Sequence, residues 1–428
     1  MHKTLTITLV LTLLITAGIS HADDWPQWRG INRDGTWNES GLIDQFESDE
    51  IKLKWRIPIG PGYSGPTVSD GRVFVTYRIA EPQQERVMCV SEKTGEELWS
   101  YTYPCEYRIG YTAGPRASVT VENNKAYALG AMGHLHCFDA DSGKVLWNRD
   151  LNTDYKIKMP IWGIAGSPII HEDTIVLQIG GSDVCVIGLD KYTGKSQWGA
   201  LKERACYAAP VLVNQGGVPV VVCWTGDSVS GVDPKSGKVF WNHQFPPSRM
   251  PIGVATPVIS GNDLFVTSFY DGSLLLRLGK DKPAIEKVWQ QTGLTERETR
   301  GIHSIISTPV FEDGYIYGVD SYGELRCLDA KNGERVWEDQ TATPRARWST
   351  IHFVKNFDRY WMFNERGELI IGKLSPDGFE EISRAKLIEP TRDQLNQRNG
   401  VCWAHPAFAN KHVFARNDKE LVCASLAK

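Results

Sequence analysis

One nine-residue phrase, repeated along the chain, constrains the fold more than any other feature. It reads Asp, two residues, Ser, Thr or Asn, Gly, Lys or Glu, two residues, and Trp. Full copies begin at Asp139, Asp190, Asp233 and Asp329, and a copy without the Asp runs from Ser91 to Trp99. Asp-x-x-Ser/Thr-Gly is typical of a tight hairpin turn in which Gly takes a positive φ, so the Trp falls in the next strand.

A tryptophan recurs along the chain at intervals of 43 to 51 residues. The seven that are in register are Trp55, Trp99, Trp147, Trp198, Trp241, Trp289 and Trp337. A large flat side chain repeated once per unit is expected to fill the gap between neighbouring units. Because each unit then needs a neighbour to bury that face, the array must continue or close on itself.

A second phrase, a small residue and usually Pro before a short apolar run, marks the first strand of each unit. Its copies are Gly65-Pro66, Gly114-Pro115, Ser167-Pro168, Ala209-Pro210, Thr256-Pro257 and Thr308-Pro309, with weaker ones at Ser349-Thr350 and His405-Pro406. Four strands in a unit of 40 to 50 residues are typical of a propeller blade. The last unit ends after its third strand near Leu426, whereas the first Trp strand, Lys52 to Pro58, has no strands before it. We therefore predict an all-β fold, an eight-bladed β-propeller of four-stranded blades whose ring is closed by this N-terminal strand.

The N-terminus has the features of an export signal. Lys3 precedes the apolar run Leu5 to Ile19, and Ser20-His21-Ala22 supplies small residues at the expected cleavage point. The sequence predicts a signal peptide over residues 1–22, an N-terminal extension over 23–50 and a single propeller domain over 51–428. An uncleaved anchor helix is the alternative. We expect a periplasmic or secreted protein with no transmembrane segment after cleavage and, at a net charge of −4, no nucleic-acid partner.

The nine cysteines contain no Cys-x-x-Cys and no adjacent pair, so a haem site and a thioredoxin-like site are unsupported. Cys206 and Cys223 flank a predicted hairpin whose turn lies near Asn214 to Gly217. A disulfide between them is the one pairing that this arrangement suggests, with buried free thiols as the alternative.

The Asp-x-x-Ser/Thr-Gly-Lys-x-x-Trp phrase resembles the repeat of the pyrroloquinoline-quinone (PQQ) propeller family, the quinoprotein alcohol dehydrogenase-like proteins, over essentially the whole mature chain. The opening Trp25-Pro26-Gln27-Trp28-Arg29-Gly30, followed by Asn32-Arg33-Asp34-Gly35, is similar to the start of many exported members. The resemblance implies either a dehydrogenase that holds PQQ with calcium or a scaffold without a cofactor, such as the lipoprotein of outer-membrane protein assembly. The chain lacks both the adjacent Cys pair that stacks on the quinone in many dehydrogenases and the lipid-bearing Cys of the scaffold.

The loops that enter the first strands are rich in Arg and aromatic residues and are expected at the mouth of the central funnel. The candidate ligand-binding residues are Tyr63, Arg108, Tyr111, Arg116, Trp162, Arg204, Tyr207, Arg249, Arg300, His303, Arg347, Trp348, Arg398, Trp403 and His405. Arg binds carboxylates in bidentate fashion, and aromatic rings stack on sugar faces, so the expected ligand is a small anion or a carbohydrate. PQQ, a flat tricarboxylate, would suit the same residues. The alternative is that these side chains pack between blades and satisfy loop carbonyls.

Carboxylates recur in the middle turns, on the same expected face. They are Asp183, Asp227, Asp271, Asp320, Glu365 and Asp418. A calcium site needs several such oxygens to converge, whereas Asp and Glu are also ordinary turn residues. The sequence assigns neither a metal ligand nor a catalytic residue.

Three functions are compatible with these patterns. The first is a scaffold that binds a small ligand or an envelope protein, without a catalytic centre. The second is a PQQ-dependent oxidoreductase acting on alcohols or sugars, and the third is a hydrolase or lyase on the same fold. The missing Cys pair favours the first, and convergence of the acidic turn residues beneath the Arg ring would favour the second.

Overall fold

The computed structural model describes residues 24–428, so the predicted signal peptide over residues 1–22 lies outside the described residues. The described chain forms thirty-two strands and one short helix. The first strand, β1, spans Leu53–Pro58. No helix within residues 24–428 combines the length and apolarity needed to cross a bilayer.

The strands that follow β1 build the first four blades in chain order. Blade 1 contains β2 (Thr67–Ser69), β3 (Arg72–Ile79), β4 (Gln84–Ser91) and β5 (Glu97–Pro104), and blade 2 contains β6 (Thr120–Glu122), β7 (Lys125–Leu129), β8 (His134–Asp139) and β9 (Val145–Asp150). After α1 (Leu151–Tyr155), blade 3 contains β10 (Ile169–His171), β11 (Thr174–Gln178), β12 (Val186–Asp190) and β13 (Ser196–Ala200), and blade 4 contains β14 (Val211–Gln215), β15 (Val218–Trp224), β16 (Ser228–Val232) and β17 (Val239–Gln244).

The second half of the chain repeats this arrangement. Blade 5 contains β18 (Val258–Ser260), β19 (Asp263–Ser268), β20 (Gly272–Leu278) and β21 (Ile285–Gln291), and blade 6 contains β22 (Val310–Glu312), β23 (Tyr315–Val319), β24 (Leu325–Asp329) and β25 (Arg335–Asp339). Blade 7 contains β26 (Ile351–Asn356), β27 (Arg359–Asn364), β28 (Glu368–Ser375) and β29 (Gly378–Lys386), and blade 8 contains β30 (Ala407–Ala409), β31 (His412–Arg416) and β32 (Glu420–Ser425).

The eight sheets are all four-stranded, and the eighth is completed by β1, in the order β1-β32-β31-β30. Strands β1 and β32 pair antiparallel, with Trp55 opposite Cys423 and Pro58 opposite Glu420. The inner strand β2 of blade 1 contacts β30 of blade 8, so the first and last blades are neighbours. The predicted eight-bladed propeller and its closure by the N-terminal strand are confirmed.

The repeated tryptophans lie where one blade meets the next. Six of them donate from Nε1 to a backbone carbonyl in the hairpin turn of the following blade, at 2.7 to 3.1 Å. The turn glycine is required for two reasons. Gly143 has a φ of 70°, which the tight turn needs, and a Cβ there would lie 2.5 Å from the Trp99 ring, so only glycine leaves room for the tryptophan. The repeated phrase thus encodes both the turn and the surface that receives the tryptophan of the preceding blade.

Trp241 differs from the other six, because blade 5 lacks the repeated phrase. Its Nε1 donates to Oε1 of Gln215 in its own blade, at 2.7 Å. Blade 5 has a different turn, and Gly216 of blade 4 packs against the backbone of Asp281 there. Nε2 of Gln215 in turn donates to the carbonyl of Ala284 in blade 5, at 2.8 Å, so Gln215 connects the indole of Trp241 to the next blade.

The nine cysteines are all buried free thiols, so the disulfide suggested for Cys206 and Cys223 is not formed. The reason is the extent of the hairpin. Strand β14 begins only at Val211, which pairs with Val222, so Cys206 lies outside the paired segment. Its Sγ accepts a hydrogen bond from the backbone N–H of Gly253, at 2.7 Å.

The described part of the N-terminal extension packs across the ring. Trp25 exchanges backbone hydrogen bonds with Val68 of blade 1, and the Trp37 N–H donates to the Lys355 carbonyl of blade 7, at 2.8 Å. Both indoles are buried, with 2% and 1% of their surfaces exposed. This segment places Trp28 in the central channel.

Candidate functional site

A pocket lies on the ring axis, at the end of the channel where the first strands of the blades begin. It is lined by Trp28, Tyr63, Tyr111, Arg116, Trp162, Ala165, Ser167, Tyr207, Ala209, Val254, Ile305, Ile306, Trp348, Trp403 and His405. Its volume is about 140 Å³. An apolar cavity of similar size, about 150 Å³, binds one benzene molecule. The pocket therefore has room for one six-membered ring.

The wall of the pocket is a set of aromatic rings that hold one another in place. Tyr111 meets Trp162 at a centroid distance of 5.8 Å and an angle of 90°, and it meets Trp348 at 6.0 Å. Trp348 in turn lies 6.4 Å from Trp403, and Trp162 lies 5.0 Å from Tyr207. These edge-to-face and tilted arrangements are favourable for aromatic quadrupoles, so the wall is preorganised.

Two wall residues have left-handed backbones. Tyr111 has a φ of 55° and Trp348 a φ of 69°. Bulky side chains rarely adopt this region, and such strain is found most often at functional sites. Glycine adopts this backbone conformation without strain, so the two aromatic side chains are present although their backbone conformation is unfavourable.

The floor of the pocket comes from the N-terminal extension. Trp28 donates from Nε1 to Oγ1 of Thr256 at 2.8 Å, and its ring contacts His405 at 5.2 Å. Trp28 belongs to the opening motif and is a site residue that was not predicted from the sequence. The sequence feature that could have indicated it is the high frequency of tryptophan in a segment without a strand pattern.

Arg116 is the one arginine among the residues that line the pocket, and its guanidinium donates to carbonyls of its own loop. It donates to the carbonyls of Gly110, at 3.1 Å, and of Gly114 and Tyr111. Its guanidinium also stacks on Tyr63, at 4.8 Å from the ring centroid. Burial lowers the pKa of Arg116. An anionic ligand would therefore compete with three carbonyls for this side chain.

The structure brings eight of the fifteen predicted residues together at the pocket. These are Tyr63, Tyr111, Arg116, Trp162, Tyr207, Trp348, Trp403 and His405. The other seven line other surfaces, and most of the arginines among them are paired with acidic neighbours: Arg108 with Glu106, Arg204 with Asp227, Arg347 with Glu296 and Arg398 with Glu365. The pocket is therefore walled by aromatic rings, and the expected ring of guanidinium groups is not present there.

The three remaining predicted residues also lie away from the pocket lining. Arg249 stacks on Tyr270, at 5.0 Å from the ring centroid, and Arg300 is exposed. His303 is buried, and its backbone N–H donates to Asp320 at 2.7 Å. This hydrogen bond ties the loop before blade 6 to Asp320.

Two buried histidines beneath the pocket are neutral at physiological pH. His352 and His405 lie with their ring centroids 4.8 Å apart. Burial lowers the pKa of His352 to about 4 and that of His405 well below its usual range, and the charge of nearby Arg29 lowers both further. Nδ1 of His405 lies 2.5 Å from the Pro406 carbonyl and donates its proton there. Nε2 is then an acceptor, and it has no partner.

Glu365 is a buried carboxyl group behind the pocket wall. Oε1 accepts a hydrogen bond from Nη1 of Arg398 at 2.8 Å, whereas Oε2 is buried without a partner. Burial raises the pKa of Glu365 to about 7, against the opposing effect of Arg398. A group whose pKa is raised on folding stabilises the protein at low pH, and this contribution is lost as the pH rises through the folded pKa.

Glu365→Gln should therefore gain stability relative to the wild type as the pH rises. The difference in unfolding free energy between the two proteins should shift in favour of the variant by about 3 kcal/mol between pH 5 and pH 8, since one pKa unit is about 1.4 kcal/mol. Urea unfolding of both proteins across this range measures the difference, and the buried histidines cancel in the comparison. A difference that is constant with pH would contradict a raised pKa at Glu365.

The residues present do not fit PQQ with calcium. PQQ carries three carboxylates, whereas the pocket wall offers one arginine, already engaged by carbonyls. Each carboxylate proposed as a calcium ligand has donors of its own: Asp320 pairs with Arg326 at 3.0 Å, and Asp418 accepts from the backbone N–H of Asp393 at 2.9 Å. Within residues 24–428 no three His, Cys, Asp or Glu side chains converge as a metal site would require.

Comparison with known proteins agrees with the fold and the repeats. A family model, PQQ_2, described as outer membrane protein assembly factor BamB, matches residues 83–339. The chain belongs to this family. The PQQ_2 family assignment confirms the resemblance to PQQ-type propellers that the repeated phrase indicated.

The relatives of this PQQ_2 protein include both kinds of family member. It is 22% identical to the outer membrane protein assembly factor BamB of Yersinia pestis over 270 residues, which cover 60% of this chain and 63% of the relative. It is 28% identical to the dehydrogenase subunit of a quinone alcohol dehydrogenase of Komagataeibacter europaeus over 200 residues, which cover 42% of this chain and 26% of the relative. The chain thus spans less than two thirds of the curated relatives it matches.

Two solved structures share the fold of this PQQ_2 protein. The BamB of Moraxella catarrhalis superposes with a TM-score of 0.58 at 15% identity, covering 88% of this chain and 97% of that one. The quinohemoprotein alcohol dehydrogenase of Comamonas testosteroni superposes with a TM-score of 0.65 at 12% identity, covering 95% of this chain and 81% of that one. At these identities the likeness concerns the propeller architecture alone.

Proposed function

We propose that this protein is an exported binding propeller whose axial pocket takes a neutral, ring-shaped ligand, with a sugar residue as the ligand class. The observation that carries the proposal is the preorganised aromatic wall around a space of one ring. The proposal needs no catalytic group and no cofactor, which agrees with the scaffold interpretation of the sequence.

The charges around the pocket favour a neutral ligand. Arg116 is engaged by carbonyls and His405 is uncharged, so a carboxylate or phosphate would find no free cation in the lining. A free carboxylate to attract a cationic ligand is likewise missing from the residues that line the pocket. The interior is therefore mostly apolar, and the donors of its one cation, Arg116, are already turned to loop carbonyls.

The unpaired polar atoms in the lining favour a sugar over a plain hydrocarbon. Nε2 of His405 is an acceptor without a partner, and Nε1 of Trp348 is a donor without a partner. A sugar ring can stack its C–H face on an indole. Both atoms are buried in the present side-chain positions, and a small rotation of the two rings would let the sugar hydroxyl groups accept from Trp348 and donate to His405. Buried polar atoms left unpaired are costly, so a hydroxylated ligand gains from satisfying them.

Titration calorimetry with a panel of neutral mono- and oligosaccharides tests the proposal. Trp348→Ala should weaken binding about tenfold, because loss of one stacked ring removes on the order of 1.4 kcal/mol. Tyr192→Ala is the matched control, since Tyr192 is a 52% exposed aromatic residue in an outer hairpin turn of blade 3. Thermal unfolding of both variants confirms that they are folded. Equal affinity in Trp348→Ala and wild type would contradict the pocket assignment.

The quinoprotein alternative is tested in the same instrument, because a relative of 28% identity is a quinone alcohol dehydrogenase. We expect no heat on titration with PQQ, with or without calcium. Tight binding that is lost in Arg347→Ala and Trp403→Ala would make a PQQ-dependent oxidoreductase the better interpretation. If neither sugars nor PQQ bind, Ile161 and Leu294, exposed on loops that enter the first strands, favour an envelope protein as the partner of this face.

A further inference from the structure

A second cleft lies at the opposite end of the inner strands, where each first strand turns into the second. One side is the segment 29–36 of the N-terminal extension, and the other is formed by the strand ends and turns of blades 4, 5 and 6. Its volume is about 560 Å³. Trp28 and the residues around it separate this cleft from the aromatic pocket.

Arg29 enters this cleft with most of its hydrogen-bonding capacity unused. Only 2% of its surface is exposed. Nη2 donates to the carbonyl of Asp34 at 2.8 Å, whereas Nε is buried without a partner. A guanidinium group has five N–H donors, so most of those of Arg29 have no acceptor within the described part of the chain.

Arg33 lines the same cleft and is also buried. Nη1 donates to the carbonyl of Pro168 and Nη2 to the carbonyl of Ser167, both at 2.9 Å, and Nη1 also reaches Oε1 of Gln27 at 3.1 Å. Its Nε, like that of Arg29, is buried without a partner. These contacts fix the guanidinium beneath the channel without neutralising it.

Neither arginine forms an ion pair within the described part of the chain, unlike buried Arg326, which pairs with both Asp320 and Glu338. Burial lowers the pKa of Arg29 to about 10 and that of Arg33 to about 9, and the charge of Arg29 contributes to the second shift. Asp34 opposes the shift of Arg29 but forms no ion pair with it. Two neighbouring buried cations that lack an ion-paired partner are unfavourable, and a bound anion would offset that cost.

Two glycines of the opening motif shape the loop around these side chains. Gly30 has a φ of 83° and Gly35 a φ of 77°, and a Cβ on Gly35 would lie 2.6 Å from Nη2 of Arg29. In the sequence, Arg29-Gly30 and Arg33-Asp34-Gly35 stand out only by their similarity to the start of exported family members. In the structure they place two arginines at one cleft.

We propose that Arg29 and Arg33 form a binding site for a small oxyanion, a phosphate or carboxylate group, at the inner end of this cleft. Guanidinium groups bind such oxygens with paired, charge-assisted hydrogen bonds. Lys355 lines the cleft as well but is held by Glu312, so it does not take part. The site is distinct from the sugar pocket but adjoins it, because Arg33 donates to the carbonyl of Ser167, which lines that pocket.

Calorimetry and thermal unfolding of the full chain with inorganic phosphate test this site. Phosphate should raise the melting temperature above that in sodium chloride of equal ionic strength. Arg29→Gln should weaken phosphate binding about tenfold, the effect of losing one charge-assisted contact, and Arg29→Lys should fall between. Arg108→Gln is the control, because the Arg108 side chain is 76% exposed and lies on a pocket-side loop. Acetate in place of phosphate shows which oxyanion is preferred.

Two results would overturn the proposal. One is the absence of any phosphate-dependent rise in the wild type, and the other is an equal rise in Arg29→Gln. If Arg29→Gln does not fold, crystals of the wild type grown with selenate provide the test. A selenium anomalous peak within hydrogen-bonding distance of both guanidinium groups supports the site, and a saturated crystal without that peak refutes it.

Discussion

A chain that begins at Ile59 is expected to be recovered as aggregates instead of a monomer. Truncation there removes β1, which pairs with β32 from Leu53 to Pro58 and completes blade 8. The lost strand leaves the backbone of β32 unpaired along the outside of the ring. Such an open edge is a template for pairing with another chain. Size-exclusion chromatography with light scattering measures the outcome.

Two companion chains isolate the contribution of β1. A chain that begins at Asp24 keeps every described contact and should be a monomer. A second chain begins at Ile59 but carries residues 51–58 after its C-terminus through a short turn, which the pairing of Leu53 with Ala424 near the end of β32 permits. Recovery of monomer in this permuted chain would identify the strand as the cause. A monomeric chain from Ile59 without the added strand would refute the closure of the ring by β1.

Trp99→Ala is expected to lower the free energy of unfolding by about 3 to 5 kcal/mol, as for other buried aromatic side chains. Trp99 is 8% exposed and packs on Phe138 of blade 2, at a centroid distance of 5.4 Å. Its Nε1 donates to the carbonyl of Ala140 at 2.9 Å, and that carbonyl loses its partner in the variant. Denaturant unfolding gives the difference.

The neighbouring residue provides the control for Trp99. Leu98 is 50% exposed in the same strand, so Leu98→Ala should change the unfolding free energy by no more than about 0.5 kcal/mol. Trp99→Phe keeps an aromatic ring and removes the N–H donor. Its loss of unfolding free energy should exceed that of Leu98→Ala, and about 1 kcal/mol of the difference comes from the lost hydrogen bond. A Trp99→Ala protein as stable as Leu98→Ala would contradict the role of this tryptophan between blades.

The repeated hairpins made the architecture predictable. Asp139 to Trp147 specifies a turn with a positive-φ glycine, and the same phrase returns in other blades, so local turn chemistry and repeat spacing together require a ring. The hairpin of Cys206 and Cys223 was less predictable. The register of β14 depends on where the loop from blade 3 ends, and no local pattern marks that point.

The candidate site was predictable in its aromatic residues and not in its charges. Tyr63, Trp348 and Trp403 occupy equivalent positions before first strands, and equivalent positions in a propeller face the axis. Arg347 and Arg398 come from the same loops, yet each turns to a carboxylate, Glu296 or Glu365, that is distant in sequence. A long charged side chain reaches several partners, so its direction depends on the tertiary neighbours.

By itself, the sequence determined the number of blades, the closing strand and the face on which aromatic residues gather, because these follow from turns and spacings that act within a single unit. The tertiary structure alone decided that Trp28 forms the pocket floor, that Arg116 is engaged by carbonyls, and that Arg29 and Arg33 lie together, each with a buried Nε that has no partner. These depend on where the N-terminal extension crosses the ring. That path is set by buried contacts of Trp25 and Trp37 with blades far away in sequence, which no local pattern records.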